Sequence, residues 1–398
     1  GKVGIIESLS KDFPAQKENL KAYIEALYKV ADEVDLFYLR PSPEYMQVHS
    51  DDFHMSASEF IAKYITDERL QSVVAYLNPL YGGNDGVTPA YIHALISVLY
   101  IEGSSRFAGG SILFARTLSD VITGHGGRVL SGDAVRSVHS ENRSITGVTT
   151  ESGKSYSADC YICAIHPCSF FPLLDDESIL PKPYRERLSE LPNSYSAFTL
   201  NIKLKPGTFK YFNYTMYYMS RYDAIWKFGE TKRWPSGFLF ITPPEINQGE
   251  FADKVIVTAP MQWNAVEQWI NTTTGNRGPE YSQWKAGCAE KLIARMEEII
   301  PGFRDCIESI NTASPLTIRD FYGVKDGSMY GFSKDCHDIV RSQVPVVTKV
   351  KNLFLTGQNC NLHGFCGVSL TAVSTCEAIL GRNYILNKIN NRFDDSRI

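Results

Sequence analysis

The stretch KNLFLTGQNCNLHGFCGVSLTAVSTCEAILG, Lys351 to Gly381, decides how the chain folds. Leu353-Phe354-Leu355 is a short apolar run that reads as a buried strand. It delivers Thr356-Gly357-Gln358-Asn359 to its carboxyl end, where open α/β sheets bind ligands. Gly364, Gly367 and Val368 follow, and a small-residue helix is expected from Ser369. The first turn of such a helix offers free backbone N–H groups and the positive end of its dipole. A strand, a loop and a helix occur in any α/β protein, so this segment needs a companion.

The companion lies upstream. Gly109-Gly110-Ser111 precedes a helix with an apolar face (Ile112, Leu113, Leu118, Val121, Ile122), and Gly126-Gly127-Arg128-Val129 then leads to Val135 and Val138. Two glycines before a helix let backbone approach a ligand closely, and two after it end the helix and turn the chain into a strand. Between and around these signatures the pattern divides clearly. Asp12 to Val34 reads as one helix capped by Asp12, with Pro14 in its first turn and Leu20, Tyr23, Ile24, Leu27 and Ala31 on one face. Helices are expected at Ser56–Tyr64, at Asp67–Leu77 and from Pro89 towards Tyr100, with a loop at Tyr81–Gly86. SAFTLNIKL, GFLFITPP and DKVIVTAP, between Ser196 and Pro260, predict a mostly antiparallel sheet, and a long helix runs from Tyr281 to Ile300.

The net charge of -4 argues against non-specific nucleic-acid binding, which needs a basic face for the phosphates. Nine cysteines with no framework spacing point to a reducing compartment. Cys160, Cys163, His166 and Cys168 lack the second close pair of a zinc site, so no metal is expected. With 22 Tyr, 21 Phe and 5 Trp, the chain has either a large core edged by tyrosines or a long apolar pocket with aromatic walls.

Together, the two glycine signatures resemble the flavoprotein superfamily of phytoene desaturases, carotenoid isomerases and retinol saturases, with amine oxidases more distant. A third segment, SPLTIRDFYGVKDGSMYGF (Ser314–Phe332), is similar to a substrate-lining loop of the saturase and isomerase branch. The resemblance implies an α/β fold: a Rossmann-like FAD domain from residues 101–167 and 346–398, incomplete at its amino terminus. A helical part (1–100) and a mixed sheet with helices (168–345) would form the substrate domain. It further implies FAD near Gly109, Gly110 and Ser111, with Val135 on the strand beside the adenine. Gly357, Gln358 and Asn359 would meet the pyrophosphate and ribityl chain, and Gly364, Gly367, Val368 and Ser369 would underlie the ring. Tyr330 and Gly331 would line the substrate side, and His363 is either an acid or, as is commoner for a loop histidine beside a cofactor, a hydrogen-bonding spacer.

The implied chemistry is hydride transfer to or from a C–C bond of a small apolar polyene or isoprenoid. The alternatives are an amine-oxidase-like flavoenzyme and an inactive remnant that binds a hydrophobic ligand. The family opens with a strand, G-x-G-x-x-G and a helix, and no such motif occurs in this sequence. The expectation is therefore a chain that lacks this amino-terminal segment, holds FAD weakly or not at all, and is inactive as it stands. A cytoplasmic location, with peripheral membrane contact for an apolar substrate, completes the reading.

Overall fold

A computed structural model of the chain describes residues 1–41, 48–227 and 234–395. The first hundred residues are helical, as expected, with different boundaries. Lys2–Asp12 is one helix and Lys17–Asp32 another, so Asp12 ends a helix instead of capping one. The break falls at Phe13 (φ -127°, ψ 61°), because a residue before proline is pushed out of the helical region and Pro14 has no N–H to donate. Leu20, Tyr23, Ile24, Leu27 and Ala31 are buried on one face. Ser56 and Glu59 form a reciprocal capping box at the start of Ala57–Tyr64. Asp67 caps Glu68–Val74, which ends three residues before the expected Leu77. Ala90–Glu102 crosses behind these helices with nine buried residues.

Next comes the exposed helix Ser111–Gly124, followed by β1 (Val135–Glu141), β2 (Ser144–Thr150), β3 (Ser155–Tyr156) and β4 (Tyr161–Cys163). β1, β2 and β3 form an antiparallel meander. Five strands build the larger sheet: β5 (Ser196–Leu204), β6 (Met216–Met219), β7 (Gly237–Ile241), β8 (Lys254–Met261) and β9 (Ile307–Ala313). Their order is β6-β7-β8-β5-β9, antiparallel throughout. Along β5, Leu200, Ile202 and Leu204 turn inward while Asn201 and Lys203 face out, the period-two pattern of a sheet covered on one face. The cover is the helix Gly278–Ile299, whose buried stripe of Cys288, Ala289, Leu292, Ile293 and Met296 joins the same core.

β10 (Leu353–Leu355) pairs in parallel with β4, Leu353 opposite Tyr161 and Leu355 opposite Cys163. Thus the strand of the Leu353–Leu355 signature pairs with a strand far upstream in sequence, whereas Val135 and Val138 lie in the separate antiparallel meander. The helix behind β10 is Gly364–Leu380, tied to it by the buried Thr375 hydroxyl donating to the Leu355 carbonyl at 2.9 Å. All nine cysteines are free thiols. Among the described residues no single helix is long and apolar enough to cross a membrane.

Candidate functional site

Gly357 leaves β10 with φ +88°, its Cα side facing the carbonyl of Ala164 at the end of β4. The Thr356 N–H donates to the Cys163 carbonyl at 3.0 Å, so both strand ends open to one place. The helix expected from Ser369 begins instead at Gly364, which makes Gly367 and Val368 part of its first turns. Gly367 is required by packing: a Cβ there would lie 2.5 Å from the backbone carbon of Leu362. That glycine looks like loop in the sequence but allows the helix to start close against the strand–loop. Its N-cap, His363, makes no side-chain capping bond, so the first-turn N–H groups stay available. Ser369 contributes no free hydroxyl, because its Oγ donates to the Phe365 carbonyl at 2.8 Å.

The second helix start, Gly110-Ser111, is brought to the first by three rings. Phe107 stacks on Phe114 with centroids 5.3 Å apart, and both meet Phe365 edge-on at 5.3 and 4.8 Å. Gly109 is anchored from the sheet side by its N–H to the Pro244 carbonyl, 2.9 Å. The aromatic bridge was not foreseen. Its signal in the sequence was a phenylalanine beside each glycine pair, and only the fold shows that the pairs are neighbours.

On the other side of the Gly364 helix start lies the turn carrying Tyr330 and Gly331. Here too a glycine permits a close approach: a Cβ on Gly331 (φ +73°) would sit 2.4 Å from Asn359 Oδ1. That buried amide oxygen has no hydrogen-bond partner. His363 Nε2 lies 2.7 Å from the Leu80 carbonyl, which can only accept, so Nε2 carries the proton. Burial pushes His363 down to about 4, with a smaller push from Lys334. A neutral imidazole already committed to a backbone carbonyl is no general acid near neutral pH. The bond to Leu80 accords with the spacer reading of His363 more than with the acid reading. Tyr330 leans on it with centroids 4.5 Å apart and donates its hydroxyl to the Pro79 carbonyl at 2.7 Å. A polar void of about 20 Å³ beside Tyr330, Lys334, Gln358 and His363 has room for one water.

Two apolar spaces flank this centre. A cavity of about 290 Å³ opens among the first helices, lined by Leu9, Tyr23, Leu27, Val74, Tyr76 and Ile101, with no acidic side chain in its wall. Tyr76 meets Tyr217 edge-on at 5.3 Å, and Tyr217 is within electrostatic reach of Tyr100 and Tyr330, a tyrosine wall leading back towards His363. The other space is a cleft of about 460 Å³ between β1–β2 and β4–β10. Val135, expected beside the adenine, lies on its rim with Ile162 and Ile165, all three more than a third exposed.

A parallel strand pair feeding a glycine-started helix, joined to a second glycine-started helix, is consistent with the α/β fold of FAD-binding oxidoreductases. The comparisons agree. A family described as flavin containing amine oxidoreductase matches residues 8–205. All-trans-retinol 13,14-reductase of Danio rerio is 25% identical over 430 residues, covering 96% of this chain and 69% of the relative. The Homo sapiens protein of that name is 24% identical with the same coverage. Among solved structures, an oxidoreductase from Methanosarcina mazei superposes with a TM-score of 0.55 at 16% identity, over 81% of this chain and 68% of that one. A redesigned putrescine oxidase gives 0.54 at 12% identity, over 95% and 76%. The chain is an FAD-dependent oxidoreductase that is similar to the retinol saturases and carotenoid desaturases.

Proposed function

We propose that this chain serves redox chemistry at a C–C bond of an apolar polyene or isoprenoid, in the direction of saturation, desaturation or isomerisation. The observation that carries the reading is the apolar cavity whose tyrosine wall runs towards the Gly364 helix start. The retinol reductases, similar over nearly the whole chain, support the substrate class. When bound, the flavin supplies hydride acceptance or donation at N5. The residues fit such a group. Gly357, Gln358 and Asn359 would hold the pyrophosphate and ribityl chain, where the unpartnered Asn359 Oδ1 awaits a hydroxyl donor. Gly364, Gly367 and Val368 would lie under the ring, with the free N–H groups of the first turn, from Gly364 to Cys366, facing its negative edge. Gly109, Gly110 and Ser111 would support the dinucleotide from the other helix, and Val135 would border the adenine. Tyr330 and Gly331 would close the substrate side and exclude water.

An amine-oxidase-like activity is the second reading, favoured by the fold match to putrescine oxidase. A cationic amine, however, would enter an apolar cavity with no carboxylate to meet it. The test is reconstitution with excess FAD, followed by incubation with all-trans-retinol under an added reductant and, separately, with putrescine in air without reductant. A retinoid product shifted in absorbance, with no turnover of putrescine, is expected. Putrescine oxidation without retinoid conversion would reverse the assignment.

A further inference from the structure

Away from the flavin side, Asp335, Cys336 and His337 bring a carboxylate oxygen, a thiol sulfur and an imidazole nitrogen within 4.8 Å of one another. Three successive residues of an extended strand would alternate faces and could not do this. Here the chain bends at Cys336 and His337, and the His337 N–H donates to Asp335 Oδ1 at 2.9 Å, curling the acid back over the pair. A fourth group faces the same spot. The Gly86 carbonyl lies 2.9 Å from His337 Nε2 and 3.7 Å from Cys336 Sγ, so two side chains converge on one oxygen. That oxygen is held in place from behind, because the Gly86 N–H donates to Ser58 Oγ at 3.0 Å and the Cys336 N–H donates to the Val87 carbonyl at 2.8 Å.

We infer that Asp335, Cys336, His337 and the Gly86 carbonyl form a binding site for a divalent late transition ion, Zn²⁺ above all. The donor set is one sulfur, one nitrogen and two oxygens, which suits a borderline-soft ion in tetrahedral coordination and does not suit Mg²⁺ or Ca²⁺. Bond lengths of about 2.0–2.3 Å in such a site put its ligand atoms roughly 3.5 Å apart. On binding, the thiol proton leaves to solvent. The Nε2 proton that faces the Gly86 carbonyl is exchanged through solvent to Nδ1, which frees the Nε2 lone pair for the ion. Glu59, within electrostatic reach of both Cys336 and His337, adds negative charge next to the site. The ion would clamp two segments 250 residues apart, the Tyr81–Gly86 loop and the chain leaving Tyr330-Gly331. Gly82 in that loop already packs on the Tyr330 ring, so the clamp would brace one wall of the polar void.

The test is titration of the full chain with Co²⁺ as an optical probe and with Zn²⁺ against a chromophoric chelator. Expected are one equivalent of metal, a thiolate-to-cobalt charge-transfer band and tetrahedral d–d bands. Zn²⁺ affinity should fall at least tenfold in Cys336→Ser and His337→Gln, and remain unchanged in Cys160→Ser. Thermal unfolding gives a second readout, with Tm rising on Zn²⁺ addition in the wild-type chain and not in Cys336→Ser. No charge-transfer band, or a Zn²⁺ response equal in all four proteins, would overturn the assignment. Since the wild-type cobalt spectrum stands alone, a variant that fails to fold does not rescue it.

Discussion

Gly367 shows how one hydrogen in place of a methyl group sets a helix start. Replacing it by alanine places Cβ 2.5 Å from the Leu362 carbon, and relieving that overlap moves backbone, not a pliable side chain. Gly367→Ala should lower stability by roughly 1–3 kcal/mol in urea unfolding. Gly124→Ala, where a Cβ meets nothing within 4 Å, should change it little. Histidines supply a second residue-scale effect. His93 is fully buried between the hydroxyls of Tyr23 and Tyr81, at 2.6 and 3.1 Å, and burial pushes it down to about 3. In the unfolded chain it takes up a proton near pH 6.5, whereas in the folded chain it resists. Its contribution is therefore present above pH 6.5 and lost as pH falls from there through about 3. Between pH 7 and pH 5 stability should drop by about 2 kcal/mol on its account. Urea midpoints measured across that range should show a shallower slope in His93→Gln; parallel slopes would assign the effect elsewhere.

At the scale of elements, the ring bridge couples two helices that sequence keeps far apart. Phe114 belongs to Ser111–Gly124 and Phe365 to Gly364–Leu380, and their edge-on contact at 4.8 Å is the most direct side-chain link between the two starts. A double-mutant cycle of Phe114→Leu and Phe365→Leu should return a coupling of about 0.5–1.5 kcal/mol. Additive effects would mean that the helices hold their places independently. Elements also show what the sequence made legible. The strand runs of β5, β7 and β8, the capping box at Ser56 and the strand–glycine–helix at Leu353–Leu380 were all local patterns, and local patterns are read from spacing. The meeting of Phe107, Phe114 and Phe365, the turn of Asn359 towards Gly331, and the commitment of His363 to Leu80 were not legible. Each is a contact between segments whose approach only tertiary packing decides. The proline at position 14 was read as a helix starter and proved to be a divider, because Phe13 before it bears the same steric restriction.

For the whole molecule, the uneven distribution of cover matters most. The helical unit and the five-stranded sheet bury large continuous cores, yet no residue of the helix Ser111–Gly124 is buried. Ile112, Leu118, Val121 and Ile122 stand 47–56% exposed along it, and Val135, Ile162 and Ile165 are open at the cleft beside β4. Contiguous apolar surface of that kind drives association between copies when nothing else covers it. The chain at tens of micromolar is therefore expected to self-associate, with an average mass in light scattering that rises with concentration and does not fall with added salt. Leu118→Lys with Val121→Lys should reduce that mass towards the monomer. These side chains contribute no buried packing, so the same pair should leave the unfolding midpoint within about 0.5 kcal/mol of the parent. If association persisted in the double variant, the face would be excluded as its cause. If stability fell instead, the helix would be packing against something in solution that its exposure here does not show.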